Sequence, residues 1–243
     1  MTRGLAAICC ALLAACAAPL PSSDATTPAK QTQTQQGISP AVEGRTAVRN
    51  FLAVVDAVEP VAEAECRARR PRSNCDFKIV VDDRPGLPPN AFQTLDDTGR
   101  PILAFTVPLI AEVRNQDELA FIMAHEAAHH IEGHLSRLQQ NATIGAAVAG
   151  SLAGVFGRTD PQAIEAAQQF GATLGARSYS KDFELEADQL GTVIAARAGF
   201  NPLRGADFFF RIPDPGNRFL GTHPANSQRV AVVRRTAAQF GFQ

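Results

Sequence analysis

The chain has 243 residues, 45% of them hydrophobic and 19% charged, with a formal net charge of −1. That length supports one substantial domain, and the apolar fraction excludes a wholly disordered chain. A nearly balanced charge excludes the basic footprint of a nucleic-acid binder.

The first residues read as an export signal. Arg3 precedes an apolar run over residues 5–15, about half of the ~20 residues that a membrane-spanning helix needs. The run ends in Leu13-Ala14-Ala15-Cys16, which resembles a bacterial lipobox. Residues 1–15 are therefore expected to be a lipoprotein signal peptide and Cys16 the lipidated residue. The competing reading is an ordinary secretory signal with an incidental Cys. Ala17, where Asp would signal retention, resembles an outer-membrane sorting signal, so a periplasmic, lipid-anchored protein on the outer membrane is expected. Residues 16–40, after the Cys, are Pro, Ser, Thr and Gln with few large apolar side chains. They cannot bury enough surface to fold and read as a flexible tether, leaving 41–243 as the folded domain.

Over residues 45–70 the spacing of Val48, Leu52, Val55 and Val58 predicts a helix, with Pro60 placed to kink or break it. Cys66 and Cys75 are the two thiols left in the domain, nine positions apart across a polar, turn-like stretch. In an oxidising compartment they read as a disulfide; the rival metal pair has no further Cys to complete it. Strands are predicted over 77–81, 90–95 and 102–107, separated by a Pro/Gly loop at 82–89 and a turn at 96–99. Asn115 followed by Glu118 resembles a capping box, and it opens a helix with Leu119, Ile122 and Met123 on its core side. Residues 141–157 are Ala/Gly-rich and apolar, too short and glycine-rich for a membrane span, and read as a mobile helical hairpin or lid. Another helix is predicted to begin after Ser180 and end at Gly199, with Pro202 just beyond, and residues 208–210 are assigned to a third helix packed on the core.

The chemistry concentrates in His125-Glu126-Ala127-Ala128-His129, an H-E-x-x-H pattern. Residues four apart share a helix face, so two imidazoles can grip one metal ion, while Glu126 can take a proton from a water on that metal. A catalytic zinc needs a third protein ligand, and Glu184, Glu186 and Asp188 stand on the later helix. Glu184 and Asp188 are four apart, so one can ligate while the other accepts the second ring proton of a ligand histidine. Spacing alone does not choose Glu184 over Glu186.

Together these motifs resemble the gluzincin metallopeptidases related to the HtpX heat-shock protease, the mitochondrial Oma-type proteases and the CAAX prenyl endopeptidase. The matching pieces are Asn90-Ala91-Phe92, Asp117-Glu118-Leu119-Ala120, the H-E-x-x-H helix, His134, the segment from Tyr179 to Asp188, and Thr222-His223-Pro224 with Arg229 six residues after the His. The resemblance implies an α+β zincin-like domain, a small sheet flanked by the H-E-x-x-H and E-x-x-x-D helices. It implies one Zn2+ per chain on His125, His129 and Glu184, Glu126 as general base and Asp188 behind a ligand histidine. Asn90, Ala91 and Phe92 are implied as a substrate-binding strand. His223 is implied as a catalytic residue, with two roles open: stabilising the oxyanion or closing the site as a fourth ligand. The expected activity is hydrolysis of peptide bonds in misfolded or unfolded envelope proteins, with membrane contact through the lipid anchor and no nucleic acid. A zinc-stabilised chaperone that binds clients without cutting them is the alternative, and Glu126 argues against it.

Overall fold

The computed structural model describes residues 40–158, 160–178, 180–214 and 224–243. The expected signal peptide, Cys16 and almost all of the tether lie outside these residues, as do Tyr179, Thr222 and His223. The elements in chain order are α1 (Pro40–Arg69), β1 (Lys78–Asp82), β2 (Ala91–Leu95), β3 (Pro101–Thr106), α2 (Val107–Glu112), α3 (Gln116–Ile131), α4 (His134–Val155), α5 (Pro161–Ser178), α6 (Ser180–Arg197), α7 (Pro202–Gly205) and α8 (Asn226–Ala237). This is the expected α+β class, helices around a three-stranded sheet.

The long helix α1 has the anticipated period but a different phase. Phe51, Val54, Val58, Ala62 and Cys66 are buried, whereas Val48 and Leu52 are exposed. Phe51 sets the phase by meeting Phe105 of β3 edge-on, with ring centroids 5.5 Å apart. Pro60 sits on the solvent side, and the helix runs through it. At its end Cys66 is disulfide-bonded to Cys75 with a Cα–Cα distance of 5.7 Å, tying α1 to the approach to β1.

The sheet order is β1-β3-β2. The central strand β3 runs parallel to β1 and antiparallel to β2, and its Leu103, Ala104 and Phe105 are buried. It stops at Thr106, one residue before the sequence predicts. Thr106 caps α2 by accepting from the Leu109 N–H, and Pro108 fits the first turn of that helix, where no N–H is needed. The same hydroxyl accepts from the Asn90 N–H at 2.9 Å, which pins the start of β2 beside the end of β3. Among the described residues, β2 is an edge strand.

Helix α3 is the spine of the fold. Nine of its apolar side chains, from Leu119 to Ile131, are buried, so it has almost no solvent face. Asn115 caps it, accepting from the Glu118 N–H at 3.0 Å, and Glu118 reaches back to the Arg114 N–H at 2.8 Å. The carboxylates of its first turn also fasten the C-terminal segment: Asp117 pairs with Arg204, and Glu118 holds Arg211 through bonds of 2.5 and 2.6 Å. Residues 208–210 form a 3-10 turn (Ala206–Phe210), not an α-helix. Phe209 is drawn inward against Phe121, which leaves Phe210 outside.

Residues 141–155 belong to α4, the first arm of a helical hairpin whose second arm is α5, and residues 156–157 form the turn at its end. The arms pack backbone to backbone: a Cβ on Gly145 would lie 2.0 Å from the Gly171 carbonyl oxygen, and one on Gly175 would lie 2.2 Å from that of Asn141. Only glycine permits this approach. Ile144, Val148, Leu152, Val155 and Phe156 are exposed along the hairpin, and no described helix is long and apolar enough to cross a membrane.

Candidate metal centre

Helices α3 and α6 cross where Gly191 faces the backbone of His125; a Cβ there would lie 3.0 Å from His125 N and 3.1 Å from its Cα. This contact brings together the helices that carry His125, His129 and Glu184. His125 and His129, one turn apart on α3, turn their Nε2 atoms toward each other at 3.0 Å. The Glu184 carboxylate reaches in from α6, 3.6 Å from His125 Nε2 and 3.5 Å from His129 Nε2. One ligand atom from each residue lies within 4.8 Å of the others. Of the two carboxylates that spacing leaves open, Glu184 faces the histidine pair and Glu186 faces His134.

The donor set fits a divalent cation. Tetrahedral coordination with bonds of about 2.0–2.1 Å separates ligand atoms by roughly 3.3 Å, in the range seen between these groups. Among the described residues the group offers three donors, the number of protein ligands a catalytic zinc site uses. Each histidine also has its Nδ1 engaged from behind, which leaves Nε2 for the metal. For His125 that partner is Asp188, 3.0 Å away and fully buried. Asp188 is gripped in turn by Arg229 of α8 through two bonds of 2.7 Å.

Electrostatics follow from this crowding. Burial pushes the His125 imidazole down, but bonds to Asp188 and Glu184 outweigh it and raise it to about 10. Burial and the charge on His125 lower His129 to about 3. Asp188 is held below the usual carboxylate range: burial opposes ionisation, and the Arg229 charge and its bonds overcome that.

Glu126 lines the same cleft, next in sequence to His125 and turned toward β2, whose Gln93 N–H reaches it. Burial raises its carboxyl to about 7. The cleft, about 480 Å³, is also walled by Asn90, Ala91 and Phe92 at the start of β2 and by Phe208 and Arg229. His130 faces away and meets the Asn74 carbonyl oxygen at 2.7 Å.

Sequence reasoning passed over Gly191 and the Gln93 backbone. A glycine in mid-helix costs about 1 kcal/mol relative to alanine, so its presence in α6 was a readable sign of close approach. A backbone N–H leaves no trace in residue type.

Residues 50–237 match the profile of Peptidase family M48. Among curated proteins the chain is similar to a putative beta-barrel assembly-enhancing protease of Vibrio cholerae, 34% identical over 147 residues, or 54% of this chain and 30% of the relative. It is 31% identical to the beta-barrel assembly-enhancing protease of Escherichia coli K12 over 137 residues, 51% of this chain and 28% of the relative. The Yersinia pestis protein of that name is 30% identical over 139 residues, with shares of 51% and 28%. The match thus spans less than a third of the length of these relatives.

Proposed function

The chain belongs to peptidase family M48 and is a metallopeptidase; from that premise we propose a zinc-dependent endopeptidase that cuts unfolded or misfolded envelope proteins. The observation that carries the proposal is the convergence of His125, His129 and Glu184, with Glu126 on the same cleft wall. Those three residues would hold the zinc. Zinc bound there supplies Lewis acidity, acidifying a water and polarising a peptide carbonyl.

Glu126 is the base. Its carboxylate takes the proton of the attacking water and returns one to the departing amine. Asp188 keeps the proton of His125 on Nδ1, and Arg229 keeps Asp188 ionised. His223 is assigned to the same reaction, as oxyanion donor or as a displaceable fourth ligand. His223→Ala separates these: loss of kcat at unchanged zinc affinity favours the first, weaker zinc binding the second.

Asn90, Ala91 and Phe92 are proposed to receive the substrate as an added strand, which the edge position of β2 beside the cleft supports. Main-chain recognition tolerates many sequences, as a protease of unfolded segments requires. Ala91→Pro should impair peptide cleavage with zinc still bound; unchanged cleavage rejects this mode.

Location and organisation are inferred from the lipobox-like Leu13-Ala14-Ala15-Cys16, the Cys66–Cys75 disulfide and relatives named for β-barrel assembly. We assign residues 1–15 to a signal peptide, 16–40 to a lipidated tether, 41–243 to the peptidase domain, and the protein to the periplasmic side of the outer membrane. The deciding test compares the purified chain with Glu126→Gln on an unstructured protein. Cleavage by the wild type alone, stopped by a chelator, supports the proposal. Cleavage by neither, with zinc bound by both, points to a binding protein.

A further inference from the structure

We propose that His134 is a positioning residue for His129, fixing which ring nitrogen that histidine offers to the metal. The inference rests on the metal site proposed above and concerns a residue outside it. His134 opens α4 directly after Gly133, whose φ of +70° breaks the chain between α3 and α4. The buried His134 ring lies against His129.

The argument is one of donors and acceptors. A histidine that gives its Nε2 lone pair to a cation carries its proton on Nδ1. The Nδ1 of His129 lies 2.8 Å from the Nδ1 of His134. That contact is a hydrogen bond only if the His134 nitrogen is bare, and a neutral imidazole with a bare Nδ1 holds its proton on Nε2. The Nε2 of His134 lies 3.0 Å from Glu186 Oε2, which accepts that proton's bond. Arg137 anchors Glu186 from α4 at 2.5 Å. Every donor then meets an acceptor. The reverse tautomer would set two N–H groups face to face across 2.8 Å and turn a lone pair toward a carboxylate.

The ring is also held on its face. Phe183 stacks on His134 with centroids 4.6 Å apart and planes 9° from parallel, and the Arg137 guanidinium lies 4.2 Å from the centre of the Phe183 ring. The two ligand histidines are thus backed by different chains: His125 by a carboxylate directly, His129 by a second histidine and then a carboxylate.

Zinc affinity of the purified chain, measured by competition with a chelating dye, tests the assignment in wild type, His134→Phe and His134→Asn. Phenylalanine preserves the stack but removes both nitrogens, while the asparagine oxygen restores an acceptor near the Nδ1 position. His134→Phe should bind zinc about 10–100-fold more weakly, with His134→Asn recovering most of the loss. Equal affinity in wild type and His134→Phe overturns the assignment while leaving the metal site standing; a wild type that binds no zinc overturns both. Nitrogen–proton correlation spectra of the imidazole rings in the zinc-loaded wild type give a reading that needs no variant. They should show the proton on Nδ1 of His129 and on Nε2 of His134, and a proton on Nδ1 of His134 refutes the proposal.

Discussion

Arg229 holds Asp188 by two parallel hydrogen bonds of 2.7 Å, one from Nε and one from a terminal nitrogen, with both side chains closed off from water. Phe209 covers the guanidinium, its ring centroid 4.0 Å away. The pair joins α8 to α6 directly behind His125.

Removing Arg229 strips the buried Asp188 carboxylate of its guanidinium and leaves only His125 Nδ1 facing it. Arg229→Ala should destabilise the chain by about 3–5 kcal/mol, the usual cost of breaking a buried ion pair from one side. Arg229→Lys should restore little, because a single ammonium cannot make both bonds. Urea unfolding measures this, and a loss below about 1 kcal/mol would reduce the pair to the worth of a surface bridge.

Two helical glycines, Gly191 within α6 and Gly154 in the last turn of α4, should respond in opposite directions. A Cβ on Gly191 must push into the His125 backbone, so Gly191→Val should spread α3 from α6 and weaken zinc binding. Gly154 has no atom within 4 Å of where its Cβ would stand. Gly154→Ala should therefore stabilise the chain by about 0.4–1 kcal/mol, chiefly by restricting the unfolded chain. Thermal unfolding and zinc titration of both variants provide the check, and equal responses would contradict the close-approach account.

Glu126 should make the metal-free protein less stable as pH rises. Its carboxyl titrates at about 7 in the fold against an ordinary value of 4.5. Between those values the unfolded chain loses its proton first, so stability falls as pH climbs from about 4.5 to 7 and the full penalty remains above that. Metal-free Glu126→Gln lacks the penalty. It should be more stable than wild type at about pH 8, with the gap closing toward pH 4. A gap independent of pH would be inconsistent with the burial of this carboxyl.

The disulfide closes a short loop and should be structural only. Replacing Cys66 and Cys75 with Ala should cost about 2–3 kcal/mol by loop entropy and leave zinc affinity unchanged. Denaturant unfolding with a parallel zinc titration distinguishes that outcome from a role in the site.

The H-E-x-x-H helix was legible because its geometry is local: a four-residue offset fixes one face whatever surrounds it. Spacing did not give the choice of Glu184 over Glu186, which came from the resemblance alone, since both sit on one short turn of α6 and the packing against α3 decides which carboxylate meets the histidines. The phase of α1 failed for a related reason. Val48 and Leu52 have the right spacing, but the aromatic contact of Phe51 with Phe105, a partner 54 residues away, rotates them outward. The 3-10 turn over residues 206–210 likewise depends on Phe121, far back in the chain.

The glycine seam of α4 and α5 has a consequence for engineering. The two arms leave and rejoin the body side by side, with the Asn141 carbonyl against Gly175. Residues 142–174 therefore span a gap that a short linker could close. A hairpin of another length, or a foreign targeting element grafted in its place, should leave the crossing of α3 and α6 at Gly191 as it is.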